Sequence, residues 1–422
     1  MLNLIDRNLM GILLDPIKHD LRLSDTQLGF VTGIAFALFY AVAGIPLARW
    51  ADRSDRANLA ASAIGLWGLT VMACLFVGNY AQLVCARIAA AVGEAGCKPP
   101  TYSLVGDYFP EPQERTRAMS VYWLGSPLAT LIAFLIGGWL NEHFGWRATF
   151  FIMGVPGLLL AVLVKATLIE PRRKAVVVDA GKPSFPPIRD VFARLWRQRS
   201  SRHLILALIL FYVLGFGMGP WYASFLIRSH GMQTSEVGVS LGLIQGIGGI
   251  IGILVGGVVA SRWFAGDEAG QMRVTAVMVA ALMPLLMMFL FAPQRDYALL
   301  IHIPFIVVLN FFFAPTYSLL QRLVADDVRA TTLAIVSMLA HLIGMGVGPQ
   351  LVGIISDCLT PALGGESLRF AMLLVSLTAF WSSFNFWRVG RTVREDLERI
   401  EQINRSRFSA TAAQPLTGMS NE

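Results

Sequence analysis

Charge is what this chain has least of. Asp, Glu, Lys and Arg make up 14% of its 422 residues, where a soluble domain averages about 25%. A soluble domain with an ordinary charged surface is therefore excluded. Cysteine is scarce too: Cys74, Cys85, Cys97 and Cys358 lie in or beside apolar runs without metal-ligand spacing, and read as small packing residues. The sequence carries no phosphate-cradling glycine loop, metal-ligand cluster or nucleophile constellation, so neither enzyme chemistry nor a cofactor is expected. No cleavable signal peptide is visible. The net charge of +7 does not point to nucleic acid, because the basic residues sit in short connections between apolar runs.

Apolar residues are abundant: 55% of the chain is hydrophobic and the mean hydropathy is +0.60. Runs of about 20 residues, the length that crosses a bilayer core of about 30 Å, recur at 26–48, 58–79, 81–106, 117–140, 147–169, 203–227, 236–261, 272–293, 297–320, 330–356 and 367–388. The fold class is an all-α membrane protein that meets the lipid bilayer as its main partner. A twelfth run, Met1 to Leu14, makes only about 21 Å of helix. Either the first helix is short, or it is truncated at the N-terminus because residues precede Met1. The second reading is the expectation. Intact mass of protein expressed from its own upstream region should then exceed that of this chain, and a native N-terminus at Met1 would end the idea.

Lys and Arg set the orientation. Twenty-four fall in one set of alternate connections and six in the other, with Arg7, Arg87, Lys98 and Lys165 inside spans. The richer side reads as cytoplasmic. It holds both a basic linker, 170–202, and a tail, 389–422, which requires an even number of spans between them. Six spans on either side of the linker divide the chain into halves at 1–169 and 203–388. Within the linker, Val191, Phe192, Leu195 and Trp196 share a helical face, which suggests a short surface helix; a loosely ordered basic loop is the alternative. The tail opens as a solvated helix, REDLERIEQINR, and ends in a polar stretch expected to be disordered.

The halves look related. PPTYSL at 99–104 recurs as APTYSL at 314–319, and SDTQLG at 24–29 aligns with QTSEVG at 233–238. The offsets are nearly equal and both matches keep their place within the half, the mark of an internal repeat of six helices.

One stretch, 81–110, stands out. Arg87, Glu94 and Lys98 are spaced by seven and four residues, which places them on one face of a single helix. A charge at the bilayer centre costs at least roughly 2.5–3.5 kcal/mol, so this face must look at partners or a water-filled cavity. Asp6 and Arg7 share the problem in the first span. A carboxylate near movable cations can take and release a proton; a permanent ion-pair cluster tying helices 1 and 4 together is the alternative. Arg87 and Arg7 could equally hold a substrate anion. The second half is nearly free of charge within its spans, with Tyr212, Trp221, Tyr222, Gln245, His302, Asn310, Tyr317, His341 and Asn385 as its polar residues. Packing and helix–helix hydrogen bonds suit most of them. His341 is the candidate for titration near neutral pH. One charged wall facing one apolar wall suits an amphipathic anion.

The connection after the second span, Ala48-Arg49-Trp50-Ala51-Asp52-Arg53-Ser54-Asp55-Arg56-Ala57, resembles the major facilitator superfamily's G-x-L-A-D-R-x-G-R-R, with Asp52, Arg53 and Arg56 matching. Gly344-Met345-Gly346-Val347-Gly348-Pro349 matches its G-x-x-x-G-P, and Phe144-Gly145-Trp146-Arg147 is similar to its loop before the sixth helix. Within that family the chain is similar to bacterial spinster-like transporters, through Asp6-Arg7, Arg87 with Val92-Gly93-Glu94-Ala95-Gly96-Cys97, Ser356-Asp357 and Arg391-Thr392-Val393-Arg394. The resemblance implies the major facilitator fold, alternating access, a gating role for Asp52, Arg53 and Arg56, a bacterial inner-membrane location and a lipid-like substrate. Lys98 departs from the pattern, where a small polar residue is expected, and could act as a fixed counter-ion for Glu94.

Three functions stay open: a monomeric transporter of an amphipathic or organic anion coupled to protons, a symporter of a small hydrophilic acid such as a sugar acid, and a non-transporting sensor or scaffold on the same fold.

Overall fold

The computed structural model describes residues 2–171, 188–324 and 329–412, and among these residues every regular element is a helix. Span 1 is α1 (Leu2–Leu21). Span 2 is α2 (Asp25–Thr32) with α3 (Ile34–Arg53), span 3 is α4 (Arg56–Ala73), and span 4 is α5 (Tyr80–Ala95) with α6 (Lys98–Tyr108). Spans 5 and 6 form one element, α7 (Pro112–Thr167). A short α8 (Ile188–Arg197) precedes span 7, which is α9 (Arg199–Met218) with α10 (Trp221–His230). Span 8 is α11 (Thr234–Val258), span 9 is α12 (Glu268–Leu290), and span 10 is α13 (Arg295–Phe311) with α14 (Phe313–Arg322). Span 11 is α15 (Arg329–Leu363) and span 12 is α16 (Ser367–Ser376) with α17 (Thr378–Ala412).

Among the described residues, length and hydropathy alone pick out eight membrane-crossing candidates. Two of these, Gln113–Thr167 and Ile335–Ile400, are long enough for two crossings each. Span 1, passed over for its charges, and span 4, whose helix breaks after Ala95 into pieces of 16 and 11 residues, complete the set expected from the sequence. The 56 residues of α7 would make about 84 Å of helix. Gly145, with φ 75°, turns the chain there, a conformation open to glycine because it has no Cβ. Helix α1 continues through Asp15 and Pro16 to Leu21, so its 20 residues make about 30 Å. The apolar run stops at Leu14, but the helix does not.

Helix α8 forms at 188–197, with Leu195 in the core and Phe192 stacked on a largely exposed Trp196. Helix α17 runs well past its span. Asp396, buried on it, accepts a 2.8 Å hydrogen bond from the Ser200 amide at the start of span 7, so the tail helix is not solvated all round. Residues 172–187 and 413–422, parts of the linker and the tail, lie outside the described residues.

An even number of crossings puts the linker and the tail at one face of the bundle, the linker face; the loops at 22–24, 231–233 and 364–366 mark the far face. The polar bonds named here between the first six and last six spans gather at the far face. Asp357 on span 11 accepts from the Asp25 and Thr26 amides (3.0 and 2.7 Å), capping span 2. Glu142 at the end of span 5 accepts from the Ser235 amide at 3.3 Å, capping span 8. The two capped segments are the ones that match each other in sequence, and each also carries its own capping box, Ser24 with Gln27 and Gln233 with Glu236. Four orphan amides at a helix start need acceptors, and here each half draws one from the other.

Arg228 strengthens this seal. Its Nε donates to Asp15 at 2.5 Å and its two terminal nitrogens donate to Asp25 at 2.9 and 3.0 Å. Lys18 and Ser356 complete the shell of Asp25 at 2.6 and 2.7 Å. Below the charges the backbones touch. A Cβ on Gly238 would fall 2.3 Å from the Phe134 carbonyl oxygen, and one on Gly33 would fall 2.3 Å from that of Gly346. Gly238→Val should therefore wedge spans 5 and 8 apart. A cysteine placed at Asn141 should then react with a membrane-impermeant thiol reagent several times faster than in the parent; an unchanged rate would show that this contact does not hold the far face closed.

Candidate functional site

Spans 1 and 4 run antiparallel, and their charges pair crosswise. Arg7 grips Glu94 with two bonds, Nε to Oε2 at 3.0 Å and Nη2 to Oε1 at 2.7 Å. Arg87 Nη1 donates to Asp6 Oδ2 at 2.7 Å. Long side chains on a helix lean toward its N-terminus, which carries Arg7 back to Glu94, about two turns of span 4 beyond Arg87. Glu94, Asp6 and Arg87 are buried, at 0%, 1% and 3% exposure, while the Arg7 side chain keeps 17%. The pairs differ in completeness. Both Glu94 oxygens are bonded, whereas Asp6 Oδ1 and Arg87 Nε are buried without a hydrogen-bond partner.

Span 2 covers these cations with aromatic faces. The Arg7 guanidinium lies 4.5 Å from the Phe36 ring centre and 5.1 Å from that of Tyr40, and Arg87 lies 5.2 Å from Phe36. Such contacts add about 0.5–2 kcal/mol each. Arg7 also faces the other half, with Nη1 3.7 Å from Met345 Sδ on span 11.

Lys98 sits elsewhere. The seven-and-four spacing assumed one unbroken helix, but span 4 breaks after Ala95 and restarts as α6 at Lys98, followed by two prolines. Lys98 forms no ion pair among the described residues; its ammonium lies 5.4 Å from the Tyr40 ring centre. Span 10 breaks at the matching place, between α13 and α14, so PPTYSL and APTYSL both mark interrupted helices. Paired interruptions of this kind are the sequence pointer to a transporter's binding region.

The second half supplies an aromatic wall. The Tyr212 and Tyr317 hydroxyls are 2.7 Å apart, and the His341 ring lies 4.8 Å from Tyr212 and 6.0 Å from Phe216. His341 Nδ1 is 2.7 Å from the Ser337 carbonyl, which can only accept, so Nδ1 carries the proton there. His341 is one turn from Met345 on span 11 and Tyr40 one turn from Phe36 on span 2, so the two walls face one another across the gap between the halves.

At the linker face Arg56 is buried rather than exposed. It bonds Glu170, the first residue of the linker, through its side chain and its amide, and reaches Ser103 and Asp107 of the first half at 2.7 Å. The side chains of Asp52 and Arg53 lie outside the described residues. The second half has a cluster of reversed sign, in which Glu268 pairs with Arg322 and Asp267 with Arg394. The Gly270 amide and then Arg394 hold the Asp267 carboxyl below the usual carboxylate range. Asp15, Asp25, Arg228 and Asp357 seal the far face, a role the sequence did not assign them, although Asp25 stands in the SDTQLG repeat and Asp357 in the spinster-like Ser356-Asp357 pair.

Three comparisons bear on this architecture. The Major Facilitator Superfamily model matches residues 1–349. An MFS-type efflux pump of Mycolicibacterium smegmatis is 33% identical over 94% of this chain and 91% of its own. The sphingosine-1-phosphate transporter SPNS2 of Danio rerio is 26% identical over 88% of this chain and 78% of its own. Among solved structures, a bacterial homologue of the human lysosomal transporter Spinster, inward-facing and unoccupied, superposes with a TM-score of 0.84 at 24% identity, covering 94% of this chain and 95% of that one. With the family model covering most of its length, and membrane-length apolar helices throughout the described residues, this chain belongs to the major facilitator superfamily of multi-pass membrane transporters, where its likeness is to the spinster group.

Proposed function

We propose that the protein moves an amphipathic anion by proton-coupled alternating access between the halves 1–169 and 203–388. The observation that carries this reading is the crossed pair, Arg7 with Glu94 and Arg87 with Asp6, set opposite an aromatic wall. Arg7 is the hinge of the scheme, because it touches span 11 through Met345 while holding Glu94. When span 11 swings away, Arg7 is free to move with it. A buried carboxylate that loses its cation is too costly to keep charged, so Glu94 takes up a proton. Asp6, with one oxygen unbonded, is the second proton site, and His341 on the moving wall is a third titratable group. The released guanidinium is then available to a substrate anion.

In this scheme the far-face seal breaks as the linker face closes, and Asp52, Arg53 and Arg56 gate that second closure. The protein works as a monomer in a bacterial inner membrane, with linker and tail cytoplasmic, as the Lys and Arg distribution supports.

Two outcomes are expected in proteoliposomes given octyl phosphate, with proton entry read by an internal pH dye. The parent should acidify the lumen on substrate addition, and Glu94→Gln should abolish acidification while still binding octyl phosphate. If Glu94 is only a counter-ion, Gln leaves a buried cation unpaired at about 3–5 kcal/mol, and thermal stability collapses instead. The double variant Glu94→Gln with Arg7→Gln removes both charges and should recover stability in either case, so proton entry through that variant would rule Glu94 out as the carrier. Asp6→Asn should lower the stoichiometry of protons moved per substrate; an unchanged ratio would leave Asp6 a purely structural partner of Arg87.

A further inference from the structure

Resting on the anion-transport reading, we propose that Lys98 with Tyr40, Tyr102 and Tyr122 forms the subsite that holds the substrate's anionic headgroup, separate from the two arginines. The cleft wall carries three cations and two carboxylates. Arg7 and Arg87 are each committed to a carboxylate, which leaves Lys98 as the uncompensated charge. Its ammonium packs against Tyr40 at 5.4 Å from the ring centre. The rings of Tyr102, on the same helix, and Tyr122, on span 5, meet edge to face at 5.4 Å, and their hydroxyls share a hydrogen bond. Lys98, Tyr40 and Tyr122 are each half-buried and Tyr102 is 37% exposed, so a ligand can reach them.

The chemistry selects the ligand. A lysine is a compact point charge that suits a carboxylate or phosphate oxygen without demanding two-pronged geometry. Phenol hydroxyls beside it donate to the remaining oxygens. Lys98 opens α6, so that helix's amide dipole adds to its attraction for an anion. A substrate headed by a single carboxylate or phosphate monoester then lays its apolar body on the second half's aromatic wall, where Phe216 is 37% exposed. The same geometry distinguishes this role from that of a counter-ion to Glu94, which Arg7 already fills with both oxygens bonded.

The test uses the full chain in neutral-lipid nanodiscs, titrated with octyl phosphate, octanoate, octanol and galacturonate. Octyl phosphate and octanoate should bind the parent better than octanol. Lys98→Met should weaken both by about tenfold or more, Tyr102→Phe by about fivefold, and Lys98→Arg by no more than about threefold, in line with hydrogen bonds to charged groups. The unliganded melting temperature of Lys98→Met should stay near the parent's. A fall as large as that of Arg87→Met would make Lys98 a structural counter-ion and overturn the subsite. Octyl anions that bind equally with or without Lys98 would overturn the subsite and leave the amphipathic-substrate reading standing. Lys98-dependent binding of galacturonate alone would uphold the subsite and overturn that reading. Binding of none of the four to the parent would count against both.

Discussion

A full charge cannot rest against lipid, and most of this protein's interior follows from that constraint. Five ionisable groups sit on spans 1 and 4 at bilayer depth, and four of them neutralise one another crosswise. The pairs bind the two helices together, while Phe36 and Tyr40 shield the cations from the side. Breaking either pair from one side costs about 3–5 kcal/mol. A cost of that size makes the pairs useful as a coupling device, since a change of partner must be met by a proton or by a ligand. The incomplete bonding of Asp6 and Arg87 against the complete bonding of Glu94 and Arg7 makes the two pairs unequal in this respect.

The same constraint explains the contrast between the two faces. The far face is sealed by charge: Arg228 bridges Asp15 and Asp25, and each half caps a helix start of the other. These bonds sit at loop level, where water can rehydrate them when they part. Between the seal and the charged cleft the contact is made by glycine, which lets the backbones of spans 5 and 8, and of spans 2 and 11, touch. Small residues give close packing without a large apolar side chain to withdraw, so the two interfaces can open as units. At the linker face Arg56 pairs with Glu170 at the start of the linker and Arg322 with Glu268 within the second half, so neither pair joins one half to the other.

Spans 4 and 10 are interrupted at matching places, after Ala95 and after Phe311. The first lifts Lys98 out of line with Arg87 and Glu94 and turns it toward the tyrosines of spans 2, 4 and 5. A seven-residue spacing survives within α5, and the four-residue spacing does not survive the break. Gly96, Pro99 and Pro100 were present in the sequence, but their effect on which face Lys98 occupies depends on how α6 packs against its neighbours.

Composition and periodicity were enough to read an all-helical membrane protein and to mark Asp6, Arg7, Arg87 and Glu94 as charges within spans that need partners. Those features rest on local rules: the length of an apolar run and the cost of a charge in lipid. The pairing pattern was not legible, because Glu94 is four residues from Lys98 and 87 from Arg7, and only the packing of antiparallel spans makes the second the partner. Arg228 and Lys18 read as loop charges, and Arg56 as a membrane-edge one, until the folded chain brought Asp15, Asp25 and Glu170 against them. The extent of α1 past Leu14 was hidden for a related reason. Asp15, Lys18 and Asp20 end the apolar run, yet Asp15 and Lys18 stay helical because Arg228 and Asp25, from elsewhere in the chain, neutralise them. Local sequence set which residues had to be paired, and tertiary packing chose the partners.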